Sequence, residues 1–320
     1  MKKRVLFMRF HYKLLFGFAA PIAFTLAATA QQMPSEGPVA TQATISVEAK
    51  GQAPALNPQM LKVEVNGHET PVTSVTRVMP SSAQVAILID DGLRTSFNLQ
   101  LNDIKQFITE LPAGVEVGVG YMRTGTVSGM DGFSADHAAV AAKIRMPLGS
   151  PGISASPYFC VSDFVKHWPS QQQGARFVLL LTNGVDPYNG SVSPMNQDSP
   201  YVQSAQEDAQ RAGVAVYAIA YGDAGMRGGA AAFSGQGYLE QVAHATGGRS
   251  FYNGTINPVS LTPFLKEFRS AIAESYTVSF MASSNHENRK TLTRVKITSS
   301  QPGIKLHAPD AVHPGEQTVE

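Results

Sequence analysis

The chain has 320 residues, 43% of them hydrophobic and 15% charged, with a formal net charge of +1. At roughly 100–200 residues per domain this is one large domain or two smaller ones, and the low charge with 8% aromatic residues excludes a wholly disordered chain. The near-neutral balance argues against a nucleic-acid binder, and a single cysteine, Cys160, excludes an intrachain disulfide framework and a cysteine-only zinc site.

Residues 1–13 carry Lys2, Lys3, Arg4, Arg9 and Lys13 and no acid; an apolar run over 14–28 follows, broken only by Gly17, Pro21 and Thr25. It ends in Ala28-Thr29-Ala30. A basic start, a short apolar core and small residues before the cut form the pattern of a secretory signal, with cleavage after Ala30. The run falls short of the ~20 apolar residues a membrane span needs. Without residues 1–30 the chain has 20 basic against 24 acidic residues, net −4, which weakens any case for binding nucleic acid or an anionic membrane. The protein is therefore expected to be exported, periplasmic or extracellular, with no stable membrane span once the signal is removed.

Residues 31–42 read as a flexible leader. Two segments, 44–48 and 61–65, alternate apolar and polar residues as half-buried strands do, and Asn66-Gly67 is a hairpin-turn dipeptide. Residues 43–79 thus form an N-terminal β segment. At 85–89 the run V-A-I-L-I, ending in Asp90-Asp91-Gly92, predicts a strand buried on both faces. Phe97, Leu101, Ile104, Phe107, Ile108 and Leu111 then recur at helical spacing. The alternation continues: a strand at 115–121, helices at 135–144 and 158–168, a strand at 176–182 running into Asn183-Gly184, and a loop at 185–200. A helix at 202–212 capped by Gly213, a strand at 214–220, a Gly/Ala-rich loop at 222–237, a helix at 238–245, a short strand at 249–252 and a helix at 258–274 complete it. Strands alternating with helices predict an α/β domain over 80–274, with a doubly wound, mostly parallel sheet and helices on both faces. Residues 275–309 return to β alternation and, with 43–79, are expected to make one small sheet beside it. A tail covers 310–320.

These residues resemble the von Willebrand factor type A domain, and within it the exported bacterial, VWFA-related branch. The stretches that carry the resemblance are 85–91, 176–186 (strand, then T-N-G-x-D), 211–221 (R-A-G-V-A-V-Y-A-I-A-Y) and 239–251 (L-E-Q-V-A-H-A-T-G-G-R-S-F). The tail over 276–308 is similar to the β segment that follows the domain in that branch, so the resemblance spans about 43–309.

The resemblance implies a Rossmann-like fold with a metal ion-dependent adhesion site at the carboxyl ends of the strands. There a D-x-S-x-S loop, a Thr from a second loop and the Asp of a T-D-G turn hold Mg²⁺ and leave a position for a partner's carboxylate. Here the first loop reads Asp90-Asp91-Gly92-Leu93-Arg94, which keeps the Asp and replaces both serines. The second, at 152–156, has no Thr, with Ser154 as the stand-in; the third puts Asn183 where the family has a carboxylate. A guanidinium near a divalent ion costs at least ~a few kcal/mol at an effective dielectric of about 20, so tight metal binding is not expected. Weak binding through Asp90, Ser154 and Asn183 is the alternative. Arg94 either occupies the vacated position, pairing with Asp90 or offering a partner carboxylate its bidentate fork, or points to solvent beside an inert rim.

Other chemistry is weaker. Asp186, Asn189, Asn196 and Asp198 share one loop without calcium-loop spacing and read as turn formers. His68, His137, His167, His244, His286, His307 and His313 are scattered with no H-E-x-x-H, and Ser234 lacks the first glycine of a nucleophile elbow. Cys160 on an amphipathic helix reads as a buried thiol. The expectation is a non-enzymatic protein-interaction module without a cofactor, whose binding surface is the loops at 90–96, 122–134, 150–157, 183–199 and 222–237. Its rim would be formed by Asp90, Asp91, Arg94, Ser154, Asn183 and Asp186, meeting an acidic side chain of a protein partner. A Mg²⁺- or Mn²⁺-dependent adhesin and an envelope hydrolase are the alternatives.

Overall fold

Two strands, β5 (Ala83–Asp90) and β8 (Ala175–Thr182), lie at the centre of the molecule in a computed structural model that describes residues 37–51, 53–222, 229–283 and 292–315. All of β5 and nearly all of β8 is buried, which only a parallel strand covered on both faces can sustain. The preceding strands are β1 (Val39–Ala49), β2 (Leu61–Val65), β3 (His68–Thr70) and β4 (Val72–Arg77). Around the centre run α1 (Leu101–Thr109), β6 (Glu116–Arg123), β7 (Thr126–Ser128), α2 (His137–Ala142) and α3 (Pro157–Lys166). Then follow α4 (Pro200–Arg211), β9 (Val214–Ala220), α5 (Gly229–Ala245), β10 (Ser250–Phe251) and α6 (Thr262–Ala273). The chain closes with β11 (Ser275–Ala282), β12 (Thr293–Ser299), β13 (Ile304–His307) and β14 (Ala311–Val312).

The six-stranded sheet has the order β10-β9-β8-β5-β6-β7, parallel except for β7. Period-two alternation assigns its two faces. Val85, Ile87 and Ile89 with Phe177, Leu179 and Leu181 pack into one core against Ile104 of α1 and Phe268 of α6. Ala86, Leu88, Val178 and Leu180 pack into the other against α3, α4 and α5. Each fully buried large aliphatic side chain contributes about 1.5–3 kcal/mol. The doubly wound α/β fold expected from the sequence is present.

This order has a functional consequence. From β5 the chain passes through α1 to β6 on one side and returns by way of α2 and α3 to β8 on the other. The crevice outside the carboxyl ends of β5 and β8 is therefore a topological switch point, where open α/β sheets accept ligands.

The terminal segments depart from the expectation of one small sheet. They form two antiparallel sheets, β13-β1-β11-β4 and β14-β12-β2-β3, which enclose a shared core of Ile45, Tyr276, Val278 and Phe280 from one and Val63, Val65, Val295 and Ile297 from the other. Both inner faces are apolar, so neither sheet can be left open to water. The β2–β3 hairpin turns on Asn66 and Gly67 at φ 51° and 82°, the left-handed pair that a two-residue hairpin needs.

Four boundaries also move. Residues 39–42, read as leader, begin β1 and pair with β11. The 122–134 loop contains β7, which folds back on β6. The 310–320 tail contains β14. Residues 229–237, read as loop, are the first half of α5. Glycine and serine have low helix propensity, but here close packing requires them: a Cβ on Gly235 would stand 2.0 Å from Asn183 O. The signal over 1–30, the leader up to residue 36, residues 223–228 of the loop and the end of the tail from 316 lie outside the described residues.

The edge of the first small sheet meets β10 and α6 in a charged junction. His307 Nε2 is 2.8 Å from Glu48 Oε2, and Arg249 reaches both Glu48, at 3.7 Å, and Glu267, at 2.8 Å. The hydrogen bond with His307 holds the Glu48 carboxyl below its ordinary value, and burial holds His307 below the ordinary 6.5 of a histidine. Both groups bind protons more readily when the chain is unfolded. Their contribution is therefore fully present at neutral pH, falls as pH drops below the unfolded histidine value, and falls again below the unfolded carboxylate value. Urea titrations across this range are expected to show stability declining from neutral towards pH ~4, and His307→Gln is expected to flatten the upper part of that decline.

Candidate functional site

Asp90 ends β5 at the switch point and is 1% exposed. Its Oδ1 accepts the Gly92 N–H at 2.8 Å, and its Oδ2 accepts the hydroxyls of Thr182 at 2.7 Å and Ser154 at 3.3 Å. A buried carboxylate is tolerated when its oxygens are satisfied. These donors come from β5's own turn, from the end of β8 and from the 150–157 loop. Ala155 in that loop sits at φ 64°, uncommon for a residue with a Cβ. The left-handed position lies between Ser154, which faces Asp90, and Ser156, which caps α3 by accepting the Tyr158 N–H.

Asp91 turns away from its neighbour. It is fully buried and takes a bidentate pair from Arg145, at 2.7 and 2.9 Å, plus the Leu148 N–H at 3.3 Å. The guanidinium stacks on Tyr121, 3.6 Å from the ring centroid, and the Tyr121 hydroxyl donates to Arg145 O and accepts from Arg145 N–H, both at 2.7 Å. Its hydrogen bonds with Asp91 push Arg145 further up, and burial pushes Tyr121 up. Asp91 thus clips the 145–149 segment over the ends of β5 and β6, and Gly149 N–H closes the clip on Asp91 O at 2.9 Å.

Asn183 uses its side-chain oxygen to accept Val185 N–H at 2.7 Å. Behind it Thr182 accepts Gly184 N–H at 3.3 Å while donating to Asp90, and Tyr158 donates its hydroxyl to Gly184 O at 2.6 Å. Gly184 is at φ 71°, and any Cβ there would strike Leu239 and Gly235 O. The Thr-Asn-Gly turn is therefore locked between α3 and α5. On its outer side Arg94, half-buried, and Asn183 line a cleft of about 420 Å³ with Tyr221, Gln236, Thr255 and Asn257.

Asp186 is 3% exposed and accepts from Ser199 at 2.8 Å and from Tyr188 N–H at 3.2 Å. Ser199 in turn caps α4. Asn189, Asn196 and Tyr238 knit the remainder of the loop: Asn189 Nδ2 donates to Tyr238 at 2.8 Å, and Tyr238 donates to Asn196 O at 2.6 Å. The turn-former reading of this loop agrees with its geometry.

Asp90, Ser154 and Thr182 thus meet in one buried network, while Arg94 and Asn183 share the adjoining cleft. Four of the expected rim residues are buried side chains: Asp90 faces Thr182, Ser154 faces Asp90, Asp91 faces Arg145 and Asp186 faces Ser199, while Arg94 and Asn183 line the outer cleft. Thr182, Arg145 and Tyr121 were missed as site residues. The Thr182 signal was available in the Thr-Asn-Gly turn, but nothing local marks Arg145, which lies far along the chain from Asp91.

The donor set also bears on a divalent cation. It comprises one carboxylate with both oxygens already hydrogen-bonded, two hydroxyls donating to it and one amide oxygen engaged with Val185 N–H, which suits a hard octahedral ion poorly. Among the described residues no group of three or more His, Cys, Asp and Glu side chains converges as a metal site.

No family model and no curated protein matches the chain. Similar solved structures include type A domain proteins. A von Willebrand factor type A protein from Catenulispora acidiphila is 11% identical, covers 88% of this chain and 74% of its own, and has a TM-score of 0.42. BatB from Bacteroides thetaiotaomicron is 12% identical over 60% of this chain and 97% of its own, TM-score 0.43. An aerotolerance-related membrane protein from Bacteroides fragilis NCTC 9343 is 13% identical over 59% and 98%, TM-score 0.41.

Removing Arg145 leaves Asp91 as a buried charge without its counter-ion. Arg145→Ala is expected to lower stability in urea by about 2–3 kcal/mol, near the low end for a broken buried pair because water reaches the guanidinium. Gly235→Ala, which drives a methyl group into the Thr-Asn-Gly turn, is expected to cost about 1–3 kcal/mol, read as a lower denaturation midpoint with an unchanged slope.

Proposed function

We propose that the loops at the carboxyl ends of the sheet form a protein-binding surface that works without a tightly held metal, with Arg94 supplying the positive charge. The carrying observation is the division of the site into two layers. The acids that would hold a cation are folded inward on Thr182, Ser154, Arg145 and Ser199, while Arg94 and Asn183 line the cleft outside them. A guanidinium in a cleft of amide and hydroxyl groups suits a carboxylate from a partner.

The surrounding surface supports a protein as that partner. Met146, Leu148, Tyr188, Met195, Phe233 and Ile256 are exposed; the last four lie on segments that follow β8, β9 and β10, and Met146 and Leu148 on the segment clipped to Asp91. Large apolar side chains gathered with an arginine are the composition of an interaction surface.

Two candidate nucleophiles give a hydrolase no support. Ser234 is 1% exposed inside α5, and burial pushes the Cys160 thiol up to about 12, which leaves it inert. Export follows from the signal pattern over 1–30, and no helix among the described residues is long and apolar enough to cross a membrane.

Thermal unfolding in chelator and then in millimolar Mg²⁺, Mn²⁺ or Ca²⁺ tests the metal-free reading. The expected result is no shift for the wild type and an upward shift of several degrees for Arg94→Ser with Asn183→Asp, since a ligand at ~100 times its Kd adds about 2.7 kcal/mol. A wild-type shift would restore the metal-dependent adhesin. Partner capture from the envelope fraction is expected to be lost in Arg94→Glu and in Tyr188→Asp with Met195→Asp, and retained in a surface control, Lys105→Glu. The exported form is expected to begin at Gln31 by N-terminal sequencing.

A further inference from the structure

A second hollow of about 830 Å³ lies away from the crown, between the end of α5 with its Gly247-Gly248 turn and β10 on one wall and β12 with β13 on the other. Strand edges line it. β13 is the terminal strand of its sheet. Val47 donates its N–H to Glu274 O, towards β11, so its partner in register, Leu306, has a non-hydrogen-bonded pairing and directs its own N–H and C=O outward.

β12 presents a similar edge. It pairs with β14 only at Thr293 and Arg294, and Val295 N–H, on that same outer side, donates to Asp310 O at 2.8 Å. Ile297, two residues on, directs its N–H and C=O the same way, and no strand lies alongside it there among the described residues. Both Ile297 and Leu306 line the groove. Unpaired edges of this kind are templates for an added strand.

Charge identifies the occupant. Arg294, Lys296 and Lys305 are exposed along the β wall, and none has an ion-pair partner among the described residues. Glu64, opposite Lys296 in the ladder, is bound by Lys62 at 3.0 Å, and Glu48, opposite Lys305, is engaged by His307 and Arg249. Glu240 remains, and so does Asp310, whose neighbour His244 at 3.5 Å carries charge only when protonated, so the balance is three cations against two acids. Tyr252 and Pro309 add apolar wall.

We propose that this groove binds an extended acidic segment of a partner protein by strand addition along β12 and β13, with its carboxylates on Arg294, Lys296 and Lys305. Main-chain hydrogen bonds hold such a segment, and side-chain charge selects it. The surface is separate from the crown, so the two can engage different partners or two parts of one.

The probe is a short capped peptide of alternating valine and glutamate, titrated by fluorescence anisotropy into the purified protein, beside its valine–lysine counterpart and a version N-methylated at alternate residues. The acidic peptide is expected to bind with an affinity that falls with salt, and the lysine peptide not to bind. N-methylation, and charge reversal by Arg294→Glu, Lys296→Glu and Lys305→Glu, are each expected to weaken binding about tenfold or more. Lys305→Gln alone, which places no second acid opposite Glu48, is expected to weaken it measurably with little change in the melting curve, and Arg94→Ser to leave it unchanged. Amide exchange at Ile297 and Leu306 is expected to slow on binding. Equal binding of the two charge types, no binding of the acidic peptide, binding indifferent to N-methylation, or protection at the crown instead of at Ile297 and Leu306 would each overturn the proposal.

Discussion

The carboxylate of Asp90, buried where β5 and β8 end together, is the constraint around which this molecule is arranged. An ionised carboxylate out of water is costly unless each oxygen is hydrogen-bonded. The donors come from three separate parts of the chain: the Gly92 turn, Thr182 at the end of β8 and Ser154 in the loop before α3. Meeting that requirement fixes the register of the two central strands at their upper ends and pins the 150–157 loop across them. The same loop then supplies Ser156 to cap α3, so the helix start is tied to the carboxylate.

The adjacent acid shows how environment separates two identical side chains. Asp90 takes a backbone N–H and two hydroxyls, and Asp91 takes a guanidinium that also stacks on Tyr121. One organises the strand ends and the other clips the loop that crosses them. With both acids turned inward, Arg94 and Asn183 are left lining the outer cleft. Affinity for a divalent ion depends on charged oxygen donors that converge, and here they diverge.

A second organising feature is the small β sandwich built from the two ends of the chain. Its two sheets share a core, but β13 and part of β12 keep unpaired edges beside the α/β domain. Natural edges are commonly blunted by charge, and lysine is frequent there. Lys296 and Lys305 serve that purpose against indiscriminate pairing, and the same charges make the groove selective for an acidic strand. The crown and the groove therefore differ in chemistry: one offers arginine among apolar side chains on loops, the other main-chain hydrogen bonds and lysines on strand edges.

Much of the fold was legible in residue order. Apolar runs such as 85–89 and 176–182 can be stable only as strands covered on both sides, and the helical spacing from Phe97 to Leu111 leaves one buried face, so the α/β alternation followed from local pattern alone. Asn66-Gly67 likewise determined its hairpin, because few other residues accept two left-handed conformations in succession. Local pattern failed where distant contacts overruled propensity. The glycines of α5 read as a loop until Gly235 is seen against Asn183 O, and residues 39–42 read as leader until β11 supplies their hydrogen-bond partners. At the site, the resemblance put Asp90, Arg94, Ser154 and Asn183 on neighbouring loops, and in the structure Asp90 meets Ser154 while Arg94 and Asn183 share a cleft. Only the tertiary structure decided that Asp91 and Asp186 face inward, since each is committed to a partner, Arg145 or Ser199, brought to it by folding, and burial of a charge is settled by whatever counter-ion or donor the fold delivers.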